Sequence, residues 1–257
     1  MSKEFVYCYH HGLGDLILAT PTLRELHKEG FEVTIALRET FESSEILNHC
    51  PYIKGCFFCL PAGIKVGREA LEKASRQLAD SLGISDIKYS YGIGRGHKTL
   101  NSAKQLGVKL SSTQTEVFIS EQDKKQADEL IKKLGLNDYG FIQTTTGSKG
   151  MRVPSRDLPK GYGKEWLRRN KNINNFIEIG ETFTYDEYNI NIQFELMRRA
   201  KAVCIPDSVF YHACCAMSKN IDFVFGSHGT IGSRGRVRNL NSRITENKNY
   251  SLPDLNK

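Results

Sequence analysis

The sequence has no apolar run near the length of a bilayer span, and no signal-like apolar stretch follows Met1. Those absences argue against an integral membrane protein and against secretion, so the expected location is cytoplasmic. Seven cysteines stand in the 257 residues, and no second C-x-x-C pair accompanies Cys56-Phe57-Phe58-Cys59. Without a partner pair at zinc-ligand distance, core thiols are expected, with no metal site and no cofactor. Gly12-Leu13-Gly14 follows a strand-like run, but the third glycine of a dinucleotide fingerprint would fall at Ile17. A nicotinamide enzyme is thereby disfavoured. No repeat of 20–50 residues is visible, which excludes solenoids and propellers.

What is present is charge, unevenly spread. The net charge is +7, yet residues 149–171 and 227–257 together carry +10 and the remainder −3. A local basic excess suggests an anionic partner: nucleotide phosphates, a phosphorylated acceptor, nucleic acid or an anionic membrane surface. It also fits a solvated basic face.

The hydropathy pattern alternates strands with helices. Strand-like runs at Phe5–Tyr9, Phe31–Leu37 and Cys56–Leu60 are separated by helical patterns at Leu16–Lys28, Glu42–His49 and 68–82. Pro21 inside the first helix predicts a kink or an irregular start. Ser120 with Asp123 opens a helix that Gly135 stops. A second alternating unit runs through Tyr139–Gln143, Phe176–Ile179, Val203–Pro206 and Ile221–Phe225, ending in a tail read as a loop or extension. The expected architecture is α/β, with two Rossmann-like domains facing across a cleft and a boundary near residue 118.

Three turns could carry chemistry. Val203–Met217 reads as a buried strand, a turn at Asp207-Ser208 and an immediate helix from Val209. Unpaired N–H groups and the helix dipole there favour an anion, although Asp207 and Ser208 also suit plain helix capping. Thr144-Thr145-Thr146-Gly147-Ser148 can present hydroxyls and N–H groups to phosphate, or be an ordinary polar loop. Asp15, at the exit of the first strand, is either a capping residue or a general base.

The run His11-Gly12-Leu13-Gly14-Asp15-Leu16-Ile17-Leu18-Ala19-Thr20-Pro21-Thr22-Leu23-Arg24-Glu25-Leu26 resembles the opening of glycosyltransferase family 9, the heptosyltransferase group, with its G-D turn and T-P-x-L-R-x-L helix. Ile46–Ile53, His97 with Gly107-Val108, Gln143–Pro159 and Leu196–Gly226 resemble further segments of that family in the same order. Val209-Phe210 and Leu158 depart from it, standing where glycine-proline or glycine-leucine and tryptophan are usual.

The resemblance implies a GT-B fold: residues 1–118 as the acceptor-side domain and 119–257 as the nucleotide-sugar domain with a basic tail. It implies inverting, metal-independent transfer of a sugar from a nucleoside-diphosphate sugar to an acceptor hydroxyl. Asp15 is then the base. Thr145, Thr146, Lys149, Arg152, Arg156, Asp207, Ser208, Val209 and His212 would hold the donor, with Glu181 at the ribose. His10, His11, Gly14 and His97 would lie on the acceptor side. The expected acceptor is a phosphorylated surface glycan such as lipopolysaccharide core, met at the inner membrane face. Hydroxylated bases of DNA, or sugar-nucleotide binding without catalysis, are the alternatives.

Overall fold

A computed structural model describes residues 3–61, 66–90, 98–146, 157–180, 188–225 and 244–248, the last group and Ser43 by backbone alone. The chain divides into two compact units, Met1–Phe118 and Ile119–Lys257.

The first unit contains β1 (Glu4–Cys8), α1 (Leu13–Lys28), β2 (Glu32–Arg38), β3 (Gly55–Leu60), α2 (Arg68–Leu82), β4 (Ile87–Tyr89) and α3 (Lys98–Gln105). Its four strands lie in the order β3-β2-β1-β4, all parallel. Parallel strands joined by helical crossovers need both faces covered, and β1 and β2 are accordingly buried over almost their whole length. Val6, Cys8, Ala36 and Leu60 pack under Leu71, Leu78 and Ala79 of α2.

α1 runs unbroken through Pro21. Proline has no N–H, so the Ile17 carbonyl lacks its helical donor; the Thr20 hydroxyl donates to it at 2.8 Å. The Glu116 N–H in turn donates to the Thr20 hydroxyl at 2.9 Å. Arg24 donates to the carbonyls of Ser112 and Gln114, each at 3.1 Å, and pairs with Glu116. The T-P-x-L-R segment thus fastens residues 112–116 onto α1.

Where a helix is expected over Glu42–His49, the chain forms a 3-10 helix at Glu39–Ser44, ended by Glu45 in the left-handed conformation (φ 52°). Ile46 and Leu47 are buried from a turn instead. The polar Glu-Ser-Ser-Glu run has little to hold an α-helix against local side-chain hydrogen bonding.

The second unit contains α4 (Glu121–Lys133), β5 (Gly140–Gln143), α5 (Tyr162–Lys171), β6 (Phe176–Ile179), α6 (Ile190–Arg199), β7 (Ala202–Pro206), α7 (Val209–Ala216), β8 (Ile221–Phe225) and β9 (Ile244–Lys248). Its five strands lie in the order β6-β5-β7-β8-β9, again all parallel. Ser120 caps α4 in a reciprocal box with Asp123. Trp166 and Leu167 of α5 cover Ile142, Cys204 and Phe223 on one face. On the other, Phe210 of α7 packs tilted against Phe141 and edge-to-face against Phe194, with ring centroids 5.4 Å apart in each pair. Within the tail, Ile244–Lys248 pairs with β8 in parallel register. All seven cysteines are free thiols, five buried and two partly buried. Among the described residues, no helix is long and apolar enough to cross a membrane.

Candidate functional site

In open parallel sheets, ligands bind at the carboxyl ends of strands where successive crossovers leave in opposite directions. Each sheet has one such point. In the first it lies between β1 and β4; in the second, between β5 and β7.

At the first point, β1 runs out through Tyr9, His10 and His11 to the N-cap Gly12, and Gly14 and Asp15 stand in the first turn of α1. Asp15 is 8% exposed. Its carboxylate accepts an ion pair from Lys98, the first residue of α3, at 2.5 Å. The Tyr9 hydroxyl donates to the Asp15 carbonyl at 2.5 Å and pins the turn. Ser90, just past β4, donates from its hydroxyl to the Cys8 carbonyl at 3.0 Å and accepts the His10 N–H at 3.3 Å. His11 Nε2 lies 2.6 Å from the Ser90 carbonyl oxygen. Arg38, the last residue of β2, is buried and reaches His10 Nδ1 at 3.4 Å.

This cluster depresses its own histidines. Burial, then Arg38 and His11, push His10 down to about 4. Burial also lowers His11, with Lys98 and Arg38 adding to the effect while the Ser90 carbonyl and Asp15 oppose it. Burial lowers the Arg38 value too, and Asp15 pulls it back up. Two rings are therefore neutral near pH 7 beside one carboxylate and two cationic side chains.

At the second point, Gln143 ends β5 and joins the two key turns. Its Oε1 accepts from the Ser208 hydroxyl at 2.5 Å, and its Nε2 donates to the Thr145 carbonyl at 2.7 Å. Ser208 is the N-cap of α7 and accepts the Phe210 N–H at 3.2 Å. Asp207 is buried and donates its N–H to the Phe225 carbonyl at 2.9 Å. The Thr146 N–H and hydroxyl both donate to Asp157, at 2.7 and 3.0 Å. Val209 opens α7 partly exposed, and His212, one turn further, is 1% exposed with its ring 5.0 Å from that of Tyr211.

Gly180, past β6, closes this point from the far side. Its φ is +110°, and a Cβ there would stand 2.6 Å from Thr145 Oγ1 and 2.8 Å from Thr144 Oγ1. Only glycine lets the backbone approach the threonine hydroxyls so closely.

No protein-family model and no curated protein matches the chain. Solved structures do. The chain superposes on a glycosyl transferase family 9 protein from Veillonella parvula with a TM-score of 0.70, over 96% of this chain and 87% of that one, at 16% identity.

The fold is GT-B.

Two further GT-B structures agree. The E. coli ADP-heptose lps heptosyltransferase II gives a TM-score of 0.60 at 13% identity, covering 94% of this chain and 89% of that one. The E. coli heptosyltransferase WaaC with ADP gives 0.57 at 14% identity, covering 98% and 97%.

Within this GT-B chain, Asp15, His10, His11 and Gly14 gather at the first switch point, and Thr145, Thr146, Asp207, Ser208 and Val209 at the second. His97, Lys149, Arg152, Arg156 and Glu181 lie outside the described residues. The sequence reading missed Arg38, Ser90 and Lys98 in the first group and Gln143 and Gly180 in the second. Gln143 carried a signal: it is a polar, buried residue ending an otherwise apolar strand. Part of the basic excess of residues 149–171 is matched inside the second unit. Lys164 pairs with the buried Glu178, and Lys171 meets Asp222 at 2.8 Å.

Proposed function

We propose that the chain is an inverting glycosyltransferase that moves a sugar from a nucleoside-diphosphate sugar to an acceptor hydroxyl, with a phosphorylated surface glycan such as lipopolysaccharide core as acceptor. The observation that carries this reading is the pairing of chemistries at the two switch points. One holds a carboxylate among cationic groups, and the other a helix start beside a hydroxyl-rich turn. The superposition with heptosyltransferases, one of them described with ADP, supports the same reading and makes an ADP-sugar the first donor to try.

Asp15 accepts the acceptor proton as the oxygen attacks the anomeric carbon. The hydroxyl becomes acidic only as the new bond forms, so a carboxylate suffices. The sugar–phosphate bond breaks with its electron pair going to the diphosphate. That developing charge needs fixed donors: N–H groups at the start of α7, and the Thr145 hydroxyl at the end of β5. The Ser208 hydroxyl already donates to Gln143, so its contribution is to hold the turn in shape. Arg38 and Lys98 suit an anionic acceptor.

Thermal unfolding against nucleoside diphosphates and ADP-heptose tests the donor half without needing an acceptor. A ligand at 100 times its Kd stabilises by about 2.7 kcal/mol. The expected result is a shift with one base only, retained in Asp15→Asn. A folded protein that responds to none of them would refute the reading.

A further inference from the structure

Lys98 stands where a helix does not favour it. It is the first residue of α3, and a cation at a helix N-terminus opposes the helix dipole. The α3 sequence, Lys-Thr-Leu-Asn-Ser-Ala-Lys-Gln, holds no acidic residue that would offset the cost. The offset comes from α1, whose Asp15 carboxylate lies 2.5 Å from the Lys98 ammonium. The two side chains differ in access. That of Asp15 is 10% exposed and that of Lys98 31%, so an anion in solution reaches the lysine first. Thr99, Ser102 and Ala103 are buried and fix the start of α3. The four-carbon stem of Lys98 can nevertheless swing without moving the backbone.

The contact bears directly on the base. A carboxylate that takes up a proton forfeits its attraction to the ammonium, so with Lys98 seated on it Asp15 is a reluctant acceptor. Arg38 brings a second cation to the same switch point, 3.4 Å from His10 Nδ1. With His10 and His11 neutral, Asp15 against Lys98 and Arg38 leaves one positive charge in excess among the described groups there. An oxyanion would balance it.

We propose that Lys98 guards Asp15: it holds the carboxylate in the free chain, and a phosphate group on the acceptor draws it away, so that the base works only once the acceptor is in place. The proposal rests on the transferase reading. Without a guard, water is the competing acceptor. Its oxygen bonds to the anomeric carbon, its proton goes to Asp15, and the sugar–phosphate bond breaks with its electrons going to the nucleoside diphosphate. Lys98 on the carboxylate suppresses that loss. Once the acceptor phosphate pairs with Lys98, the acceptor hydroxyl meets a carboxylate freed of its counter-charge. The same bonds then form and break, with the hydroxyl oxygen in place of water.

Two measurements on the full chain test this. In the first, backbone ¹⁵N–¹H spectra are titrated with inorganic phosphate. The signals of Gly12, Gly14 and Lys98 report on the first switch point, and those of Thr145 and Val209 on the second. Phosphate should shift the first set, with an affinity about ten-fold higher in Asp15→Asn, where the lysine is no longer shared. In a Lys98→Met background the same Asp15→Asn change should gain about three-fold or less. Equal gains in both backgrounds, or a first set indifferent to phosphate, overturn the guard whatever the second set does. In the second, ADP release from ADP-heptose is followed without acceptor. Wild type should hydrolyse the donor slowly and several-fold faster with inorganic phosphate. Lys98→Met should hydrolyse it faster from the outset, ignore phosphate, and lose about ten-fold in kcat/KM towards phosphorylated core oligosaccharide. A lysine with a merely structural role would lower hydrolysis and transfer together. The phosphate response of wild type needs no variant, so it holds even if Lys98→Met folds poorly. Hydrolysis that phosphate does not raise in wild type overturns the guard alone. A wild-type chain that neither binds a nucleoside diphosphate nor releases ADP with acceptor present overturns the transferase reading, and the guard with it.

Discussion

Replacing Gly180 by alanine should damage the second unit at one defined place. The residue has φ +110°, a conformation L side chains rarely adopt, and its added methyl would stand 2.6 and 2.8 Å from two threonine hydroxyl oxygens. The Thr144 oxygen cannot retreat freely. The Thr144 hydroxyl donates to the Ile179 carbonyl at 3.2 Å, and the Thr144 N–H donates to the same carbonyl at 3.1 Å. The backbone conformation costs about 1–2 kcal/mol and the overpacking about 1–3 kcal/mol more, so the expected loss is roughly 2–5 kcal/mol. For a unit of this size that is a fall in Tm of about 5–15 °C. Two controls separate the contributions. Gly161 has φ +75° with nothing within 4 Å of a Cβ, so Gly161→Ala should cost only about 1–2 kcal/mol. Gly67 has φ −66° and open space, so Gly67→Ala should cost a few tenths of a kcal/mol at most. Urea unfolding of the three variants, followed by circular dichroism, gives the comparison. A Gly180→Ala variant as stable as Gly161→Ala would refute the argument that β6 is pressed against the threonine turn.

Gln143→Leu should cost roughly 2–4 kcal/mol in the same assay, because it strands the Ser208 hydroxyl and the Thr145 carbonyl together. Lys98→Met should cost about 1–3 kcal/mol, less than a fully buried pair because Lys98 is 31% exposed, with much of the loss recovered in the Asp15→Asn/Lys98→Met double variant. Stability should fall with acid through the histidine pair. Both rings bind protons less readily when folded, so the unfolded chain takes up more protons as pH drops from 6.5 towards about 4. The His10 part of that loss amounts to about 1–2 kcal/mol after allowance for solvent screening, and His10→Asn should flatten the pH dependence of the urea midpoint across that window. Cys214 should react with thiol reagents far more slowly than Cys59, since complete burial raises its thiol value well above the ordinary one.

The fold was legible wherever apolar periodicity was strong. β1 and β7 are apolar runs and β2 alternates before running apolar, and a chain that alternates such segments with amphipathic helices has few alternatives to a parallel sheet. β4 is only three residues with Lys88 at its centre, and α5 mixes the glycine-flanked Tyr162 and Trp166 with six charged or amide side chains, so neither stands out from a basic loop. β9 is a polar strand, Ile-Thr-Glu-Asn-Lys, whose place comes from pairing with β8 and not from its own pattern. The candidate site divides along similar lines. Asp15 and Ser208 sit in turns between a strand and a helix, and chain order alone marks them. Arg38, Ser90 and Lys98 come from three separate elements and converge with Asp15 only once the strand order β3-β2-β1-β4 is known. Gly180 is one of 22 glycines, and its role depends on threonines 35 and 36 positions earlier in the chain. The T-P-x-L-R segment shows the converse: a recognisable motif whose Thr20 and Arg24 hold residues 112–116 in place.

The central claim is that the crevice between β5 and β7 receives a nucleoside diphosphate. A crystal structure of the chain with ADP tests it most directly. The account predicts the diphosphate against the first N–H groups of α7 and the Thr145 hydroxyl, within reach of Gly180. ADP bound elsewhere, with that crevice empty, would contradict it.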